Sequence, residues 1–121
     1  MAQPDTESSL AFEIQKFVDN SRLLITGATG MLGTAFLEVL RGWKCDLQNC
    51  LFLPKSRLNV AALDNFRPYY SFEPTHVLHC AGLVDADFSE EHPQLAHEII
   101  EDGTRNLEAF ARSFDSTIFY P

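Results

Sequence analysis

The segment Thr26-Gly27-Ala28-Thr29-Gly30-Met31-Leu32-Gly33 sets three glycines at GxxGxxG spacing, the pattern with the most specific chemistry in these 121 residues. Each glycine has a mechanical task in a dinucleotide site. Gly27 makes the tight turn, Gly30 lets the backbone approach a pyrophosphate, and Gly33 lets the following helix pack on the strand. The first amides of that helix then meet a phosphate at the favourable end of its dipole. No Gly-Lys-Ser/Thr follows, so this is not a Walker loop. The bland alternative is a glycine turn that merely permits close packing.

Where a ribose 2′-hydroxyl is usually met by a carboxylate, after the second strand, the chain offers Lys55-Ser56-Arg57 and no carboxylate until Asp64. A 2′-phosphate wants a cation there, so the pattern favours NADP(H) over NAD(H), with Arg57 a candidate contact. Solvated surface charges are the plainer reading of the same residues. His76, His79 and Cys80 invite a metal reading, but strand positions three apart point to opposite faces and the two imidazoles cannot converge. His92 and His97 read as solvated or capping groups. Asp85, Asp87, Glu90 and Glu91 follow the third strand, either as ligand contacts or as an acidic loop entering a helix. No Ser/His/Asp or Cys/His spacing supports a nucleophile.

These residues need elements to position them. Leu23-Leu24-Ile25-Thr26 is an apolar run without alternation, as in a parallel strand covered on both faces. Met31, Leu32, Ala35, Phe36, Val39 and Leu40 then run at helical spacing, with Gly42 a candidate C-cap. Leu51-Phe52-Leu53 reads as a second strand. Asn59 is placed to cap a short helix from Val60 that must end or kink before Pro68. Val77 to Ala81 reads as a third strand, and two helical signals follow, with Ile99, Ile100, Leu107, Phe110, Ala111 and Phe114 on one apolar face. Thr117 to Tyr120 begins a fourth strand. Ahead of all this, Ser8 or Ser9 can cap a helix whose Leu10, Ile14, Phe17 and Val18 form one stripe.

Strands alternating with helices predict an α/β fold: a Rossmann-like doubly wound parallel sheet, incomplete as it stands, with an extra amino-terminal helix. A strand order such as 3-2-1-4-5 is the natural expectation. Residues 1–20 read as the added helix and 21–121 as a single NAD(P)-binding domain. At 45% hydrophobic, the chain should bury roughly two thirds of its unfolded surface. Its net charge of -8 repels nucleic acid and anionic membranes, so neither is an expected partner. Without a signal peptide pattern or an apolar run of membrane length, and with three unpatterned cysteines, the expected location is the cytoplasm, with buried or incidental thiols.

From Arg22 to Tyr120 the chain resembles the extended short-chain dehydrogenase/reductases, and within them the dTDP-4-dehydrorhamnose reductase-like group. The resemblance rests on Thr26 to Gly33, on Arg57-Leu58-Asn59-Val60, and on Glu73-Pro74-Thr75-His76-Val77-Leu78-His79-Cys80-Ala81-Gly82. Asp87, Glu90 and Pro93, and then Gly103-Thr104-Arg105-Asn106-Leu107, extend it. It implies that Gly30, Met31 and Leu32 lie against the cofactor pyrophosphate and Asn59 and Val60 near the adenine. It implies further that Ala81, Gly82 and Leu83 run along the inner ribose and nicotinamide. Asn59 replaces the usual Asp, Val84 a common Thr, and Ile100 an Asn, changes that imply altered cofactor contacts or reduced catalytic support.

The family's Tyr-x-x-x-Lys pair is absent: four positions after Tyr69 and Tyr70 stand Glu73 and Pro74. The expectation is the NADP(H)-binding part of a nucleotide-sugar reductase, truncated before the catalytic pair and the substrate lobe, binding cofactor but inactive alone. A sugar nucleotide is a partner only in the complete enzyme. The competing expectation is a non-catalytic regulatory protein resembling the regulatory subunit of methionine adenosyltransferase, with the amino-terminal helix meeting a protein partner. Self-association is a third possibility, since a terminal strand with an open edge needs cover.

Overall fold

A computed structural model describes residues 6–81 and 86–121. The elements run α1 (Thr6–Asp19), β1 (Leu23–Thr26), α2 (Met31–Gly42), β2 (Cys50–Leu53), a 3-10 helix (Leu63–Phe72), β3 (His76–His79), α3 (Ala86–Glu91), α4 (Pro93–Arg112) and β4 (Thr117–Phe119). The four strands form one parallel sheet in the order β2-β1-β3-β4. The third strand therefore lies beside β1, not outside β2 as a 3-2-1 order would have it. The reason is local: the stretch between β2 and β3 spends its residues on the 3-10 helix and contributes no strand to the outer edge.

β1 is central and buried along its whole length, which is why its apolar run does not alternate. Leu24 and Val77 face a cluster with Leu53, Leu58, Val60, Phe66, Leu107, Phe110 and Ala111, under α4 and the 3-10 helix. Leu23 and Ile25 face the other way, into a cluster with Val18 of α1 and Leu40 of α2. Helices thus cover both faces, the doubly wound arrangement expected.

Ile14 and Val18 of α1 pack on the chain's own second cluster, while Leu10 stays exposed. Phe17 is also 40% exposed, so two of the four predicted stripe residues pack inside the domain and two remain on its surface. Helix α1 also starts before Ser8 and Ser9, so neither is its cap.

Gly42 is the last helical residue of α2, not its left-handed cap. That role falls to Lys44, with φ 56. Lys44 N–H bonds Arg41 O and Cys45 N–H bonds Leu40 O, each at 3.0 Å, the pair of bonds that closes a Schellman motif. Asp115, also at φ 56, ends α4 with the same pair, to Arg112 O and Ala111 O. Glycine thus sits two residues before the position that wants it. Lys44→Gly is expected to raise unfolding free energy by about 1 kcal/mol by removing the left-handed penalty. Gly42→Ala, whose added methyl meets nothing within 4 Å, should raise it by roughly 0.5–1 kcal/mol. Urea midpoints of the two variants check both, and a lower midpoint for Lys44→Gly would contradict the cap geometry.

The helix expected from Val60 instead begins at Leu63 and passes through Pro68. In a 3-10 helix residues three apart share a face, and Phe66, Tyr69 and Phe72 all pack on the first cluster. On α4, Ala96, Gly103, Leu107, Phe110 and Ala111 are buried and Ile99 is half-buried. Ile100 was expected beside Ile99 but is 43% exposed, because one residue turns the helix by about 100° and carries it off the stripe. β3 ends at His79, so Cys80 and Ala81 leave the sheet earlier than expected.

Candidate functional site

The crossovers from β1 and from β3 leave in opposite directions, so the switch point of the sheet lies at the carboxyl ends of these two strands. The glycine turn sits there. Gly27 has φ +61, and an added Cβ would stand 2.7 Å from Ala81 N and 2.8 Å from Cys80 C, both backbone atoms. The Cβ of residue 33 would stand 2.7 Å from Gly27 O and 2.8 Å from Ala28 Cα. Gly33 therefore lets α2 close on the glycine turn itself. Ala28 N–H bonds Leu53 O at 3.1 Å and ties the turn to the end of β2.

Gly30 is the N-cap of α2 in an extended conformation, with φ -70. Thr34 N–H makes the first helical bond, to Gly30 O at 2.9 Å, so the amides of Met31, Leu32 and Gly33 precede it, as the opening amides of any helix do. Met31 is 92% exposed and Leu32 39%. Gly33, by contrast, is buried against the turn, so the open side of the helix start is at Met31 and Leu32.

Lys55 and Arg57 are exposed beyond β2, and neither forms an ion pair among the described residues. Arg57 O accepts the Tyr69 hydroxyl at 2.6 Å, which anchors this turn to the 3-10 helix. Asn59 is exposed, and its Oδ1 accepts Ala61 N–H at 3.0 Å. The Val60 side chain is buried, and the Cβ of residue 103 would meet its Cγ2 at 2.7 Å. Its backbone carbonyl accepts Asn106 Nδ2–H at 2.8 Å. Ala81 borders the turn, whereas Gly82, Leu83, Val84 and Asp85 lie outside the described residues. Asp87, Glu90 and Glu91 are exposed on α3.

His76 and His79 occupy opposite faces of β3, as their spacing requires. The His76 ring lies 4.8 Å from that of Phe17 and 6.0 Å from that of Phe119. His79 is buried, with Nδ1 at 2.9 Å from Thr26 Oγ1. Thr26 Oγ1 also accepts Cys80 N–H at 3.1 Å and Ala81 N–H at 3.0 Å. Burial lowers the His79 pKa, and the Glu108 charge partly offsets this. Tyr120 donates to Glu108 Oε1 at 2.7 Å, and its pKa is pushed up to about 12 by burial and that carboxylate. This cluster escaped sequence reasoning because its members are 53 residues apart and meet only through the β1–β3 register, which pairs Thr26 with His79. All three cysteines are free. Burial, with Cys45 and Asp46 nearby, pushes Cys50 up to about 11, so its thiol stays protonated at neutral pH.

Fold and site together define a Rossmann-like domain of the reductase type, with its glycine turn at the switch point. The family model described as the RmlD substrate binding domain matches residues 21–121, and the chain belongs to that family. It is 32% identical over 109 residues to methionine adenosyltransferase 2 subunit beta from Bos taurus, a match covering 85% of this chain and 32% of that protein. It superposes on the dTDP-4-dehydrorhamnose reductase from Bacillus anthracis, solved in complex with NADP. There the TM-score is 0.67 at 25% identity, covering 81% of this chain and 34% of that one. The ortholog from Clostridium acetobutylicum gives a TM-score of 0.62 at 30% identity, covering 79% and 34%. The chain thus spans about a third of the length of these relatives. Among the described residues no helix is long and apolar enough to cross a membrane.

Proposed function

We propose that residues 21–121 form the NADP(H)-binding domain of a nucleotide-sugar reductase-like protein, with residues 1–20 adding a packed helix. The observation that carries this reading is the open approach to the backbone at Gly30, the residue that opens α2. Among the described residues the only atom within 4 Å of its ideal Cβ, its own neighbours aside, is Gly27 O, at 3.2 Å. A pyrophosphate can therefore reach the backbone where any side chain would intervene, and the residues fit the group. Arg57 and Lys55, without a carboxylate partner among the described residues, suit a 2′-phosphate and favour NADP(H) over NAD(H). The NADP complex of the B. anthracis reductase supports the ligand class.

When bound, such a cofactor would supply hydride chemistry toward a carbonyl, in the whole protein that of a 4-keto sugar nucleotide. The described residues hold and orient the cofactor. Without a Tyr-x-x-x-Lys pair they do not supply the proton, so this chain binds without turnover. Free thiols and a dinucleotide ligand suit a cytoplasmic setting. A second reading, a regulatory protein that assembles with a catalytic partner, draws on the 32% identity to an adenosyltransferase subunit. Copurification of a partner whose recovery is independent of NADPH would favour it.

Fluorescence titration tests the first reading. NADPH is expected to bind more tightly than NADH, and Arg57→Ala to weaken NADPH by about tenfold while sparing NADH. Gly30→Asp keeps a backbone that any residue adopts but aims a carboxylate at the amides. It is expected to abolish both titrations with an unchanged circular dichroism spectrum. Equal binding by wild type and Gly30→Asp would sink the proposal.

A further inference from the structure

We propose that His79, held as its neutral Nε2–H tautomer, is a positioning residue that fixes the amides of Cys80 and Ala81 at the switch point by accepting the only proton of Thr26. The part of this that concerns ligand affinity rests on the dinucleotide reading above; the tautomer and the amide geometry do not.

The argument is an inventory of donors and acceptors. A threonine hydroxyl has two lone pairs and one proton. Thr26 is fully buried, and its oxygen accepts two successive backbone amides, from Cys80 at 3.1 Å and from Ala81 at 3.0 Å. Both lone pairs are then occupied, and the proton is left to the remaining neighbour, His79 Nδ1 at 2.9 Å. Nδ1 must therefore accept, and in a neutral ring the hydrogen resides on Nε2. The opposite tautomer, or an imidazolium, would aim a third donor at an oxygen with two lone pairs and strand the hydroxyl proton in a site without water access. A buried donor left without its acceptor is strongly disfavoured.

The groups facing His79 agree with a neutral ring that acid can charge. From β1 it meets Thr26, which does not titrate. Just past β4, the ring of Tyr120 stands edge-on with centroids 6.2 Å apart, its hydroxyl already given to Glu108. From α4, Glu108 is the one charge among the described residues that acts on it, and it favours protonation, while burial opposes protonation more strongly. The two amides matter because they set the gap that Gly27 fills: the nearest atom to an ideal Cβ there is Ala81 N itself. If Thr26 lets go of them, the glycine turn loses the wall it is built against.

Protonation has a defined sign. The folded pKa of His79 lies below its ordinary 6.5, so the unfolded chain binds more protons in the window beneath that value. The histidine's contribution to stability is complete above pH 6.5 and is lost as the pH falls through the folded value.

The test uses the whole chain with 15N-labelled histidine. The expected spectrum shows Nδ1 of His79 as an unprotonated ring nitrogen at neutral pH and Nε2 bearing hydrogen. Hydrogen-exchange protection of the Cys80 and Ala81 amides should fall about tenfold, the loss of one such bond, in step with His79 protonation. Glu108→Gln should move that step to lower pH. His79→Asn keeps an acceptor oxygen near the place of Nδ1 and should retain protection without the step. His79→Leu should lose about tenfold at every pH, with NADPH affinity falling in parallel. A residue that merely filled space would give no pH step and no rescue by Asn. An Nδ1–H tautomer, or equal amide protection in His79→Leu and wild type, overturns the proposal. If neither NADPH nor NADH binds at any pH, the dinucleotide reading fails, and the tautomer and protection data still decide this one.

Discussion

Gly27→Ala is expected to lower the unfolding free energy by about 2 to 5 kcal/mol and to abolish dinucleotide binding. Two costs add. A non-glycine residue at φ +61 incurs about 1–2 kcal/mol. The methyl group then stands under 3.0 Å from three backbone atoms of Cys80 and Ala81, and overpacking of this kind costs about 1–3 kcal/mol more. No side chain can swing aside, because every atom met is backbone on a neighbouring strand end. Gly33→Ala is the instructive comparison. In an ordinary helix it would stabilise by about 1 kcal/mol, but here its methyl meets Gly27 O at 2.7 Å, so the net sign is destabilising and the size smaller. Urea denaturation of the two variants orders them. A Gly27→Ala midpoint equal to wild type would show that the turn does not abut β3 as described.

Phe110→Ala is expected to cost about 3 to 5 kcal/mol, a large share of the roughly 5–15 kcal/mol that holds a domain together. Phe110 is fully buried, and its ring lies 5.0 Å from that of Phe66, 5.1 Å from Tyr70 and 5.2 Å from Phe114. It is thus the junction of α4, the 3-10 helix and the segment that leads into β4. Truncation leaves a cavity among three rigid rings, which cannot collapse to fill it. The matched control is Phe12→Ala on the exposed side of α1: at 65% exposure it should change stability by less than about 0.5 kcal/mol. Thermal unfolding distinguishes the pair, and comparable shifts would mean that the core is not centred on Phe110.

Much of the domain was legible before any coordinates. The unbroken apolar run Leu23 to Thr26, the glycine turn and the periodicity of Met31 to Leu40 each announce one element, and each element formed there. The errors share a cause, which is that a local pattern was assigned the wrong period or the wrong cap. The sequence predicts a short helix from Val60 that ends or kinks before Pro68, yet Phe66, Tyr69 and Phe72 repeat every third residue, the period of the 3-10 helix that runs through Pro68. Gly42 is the candidate cap by residue type, because glycine adopts the left-handed conformation freely, yet Lys44 carries it, since the bonds from Cys45 to Leu40 and from Lys44 to Arg41 compensate. Ile100 looked like core from its spacing and lies on the outer face.

By itself, the sequence determined the α/β class, the position of the glycine turn between a strand and a helix, and the basic residues beyond the second strand. These are properties of short segments, where backbone sterics and side-chain periodicity act within a few bonds. Only the tertiary structure decided the order β2-β1-β3-β4, the burial of Val60 beneath Gly103, and the meeting of Thr26 with His79, Cys80 and Ala81. Those contacts join residues more than forty positions apart. Val60 meets Gly103 because α4 packs across the sheet, and Thr26 meets His79 because β1 and β3 come into register, after which a hydroxyl's single proton has one place left to go.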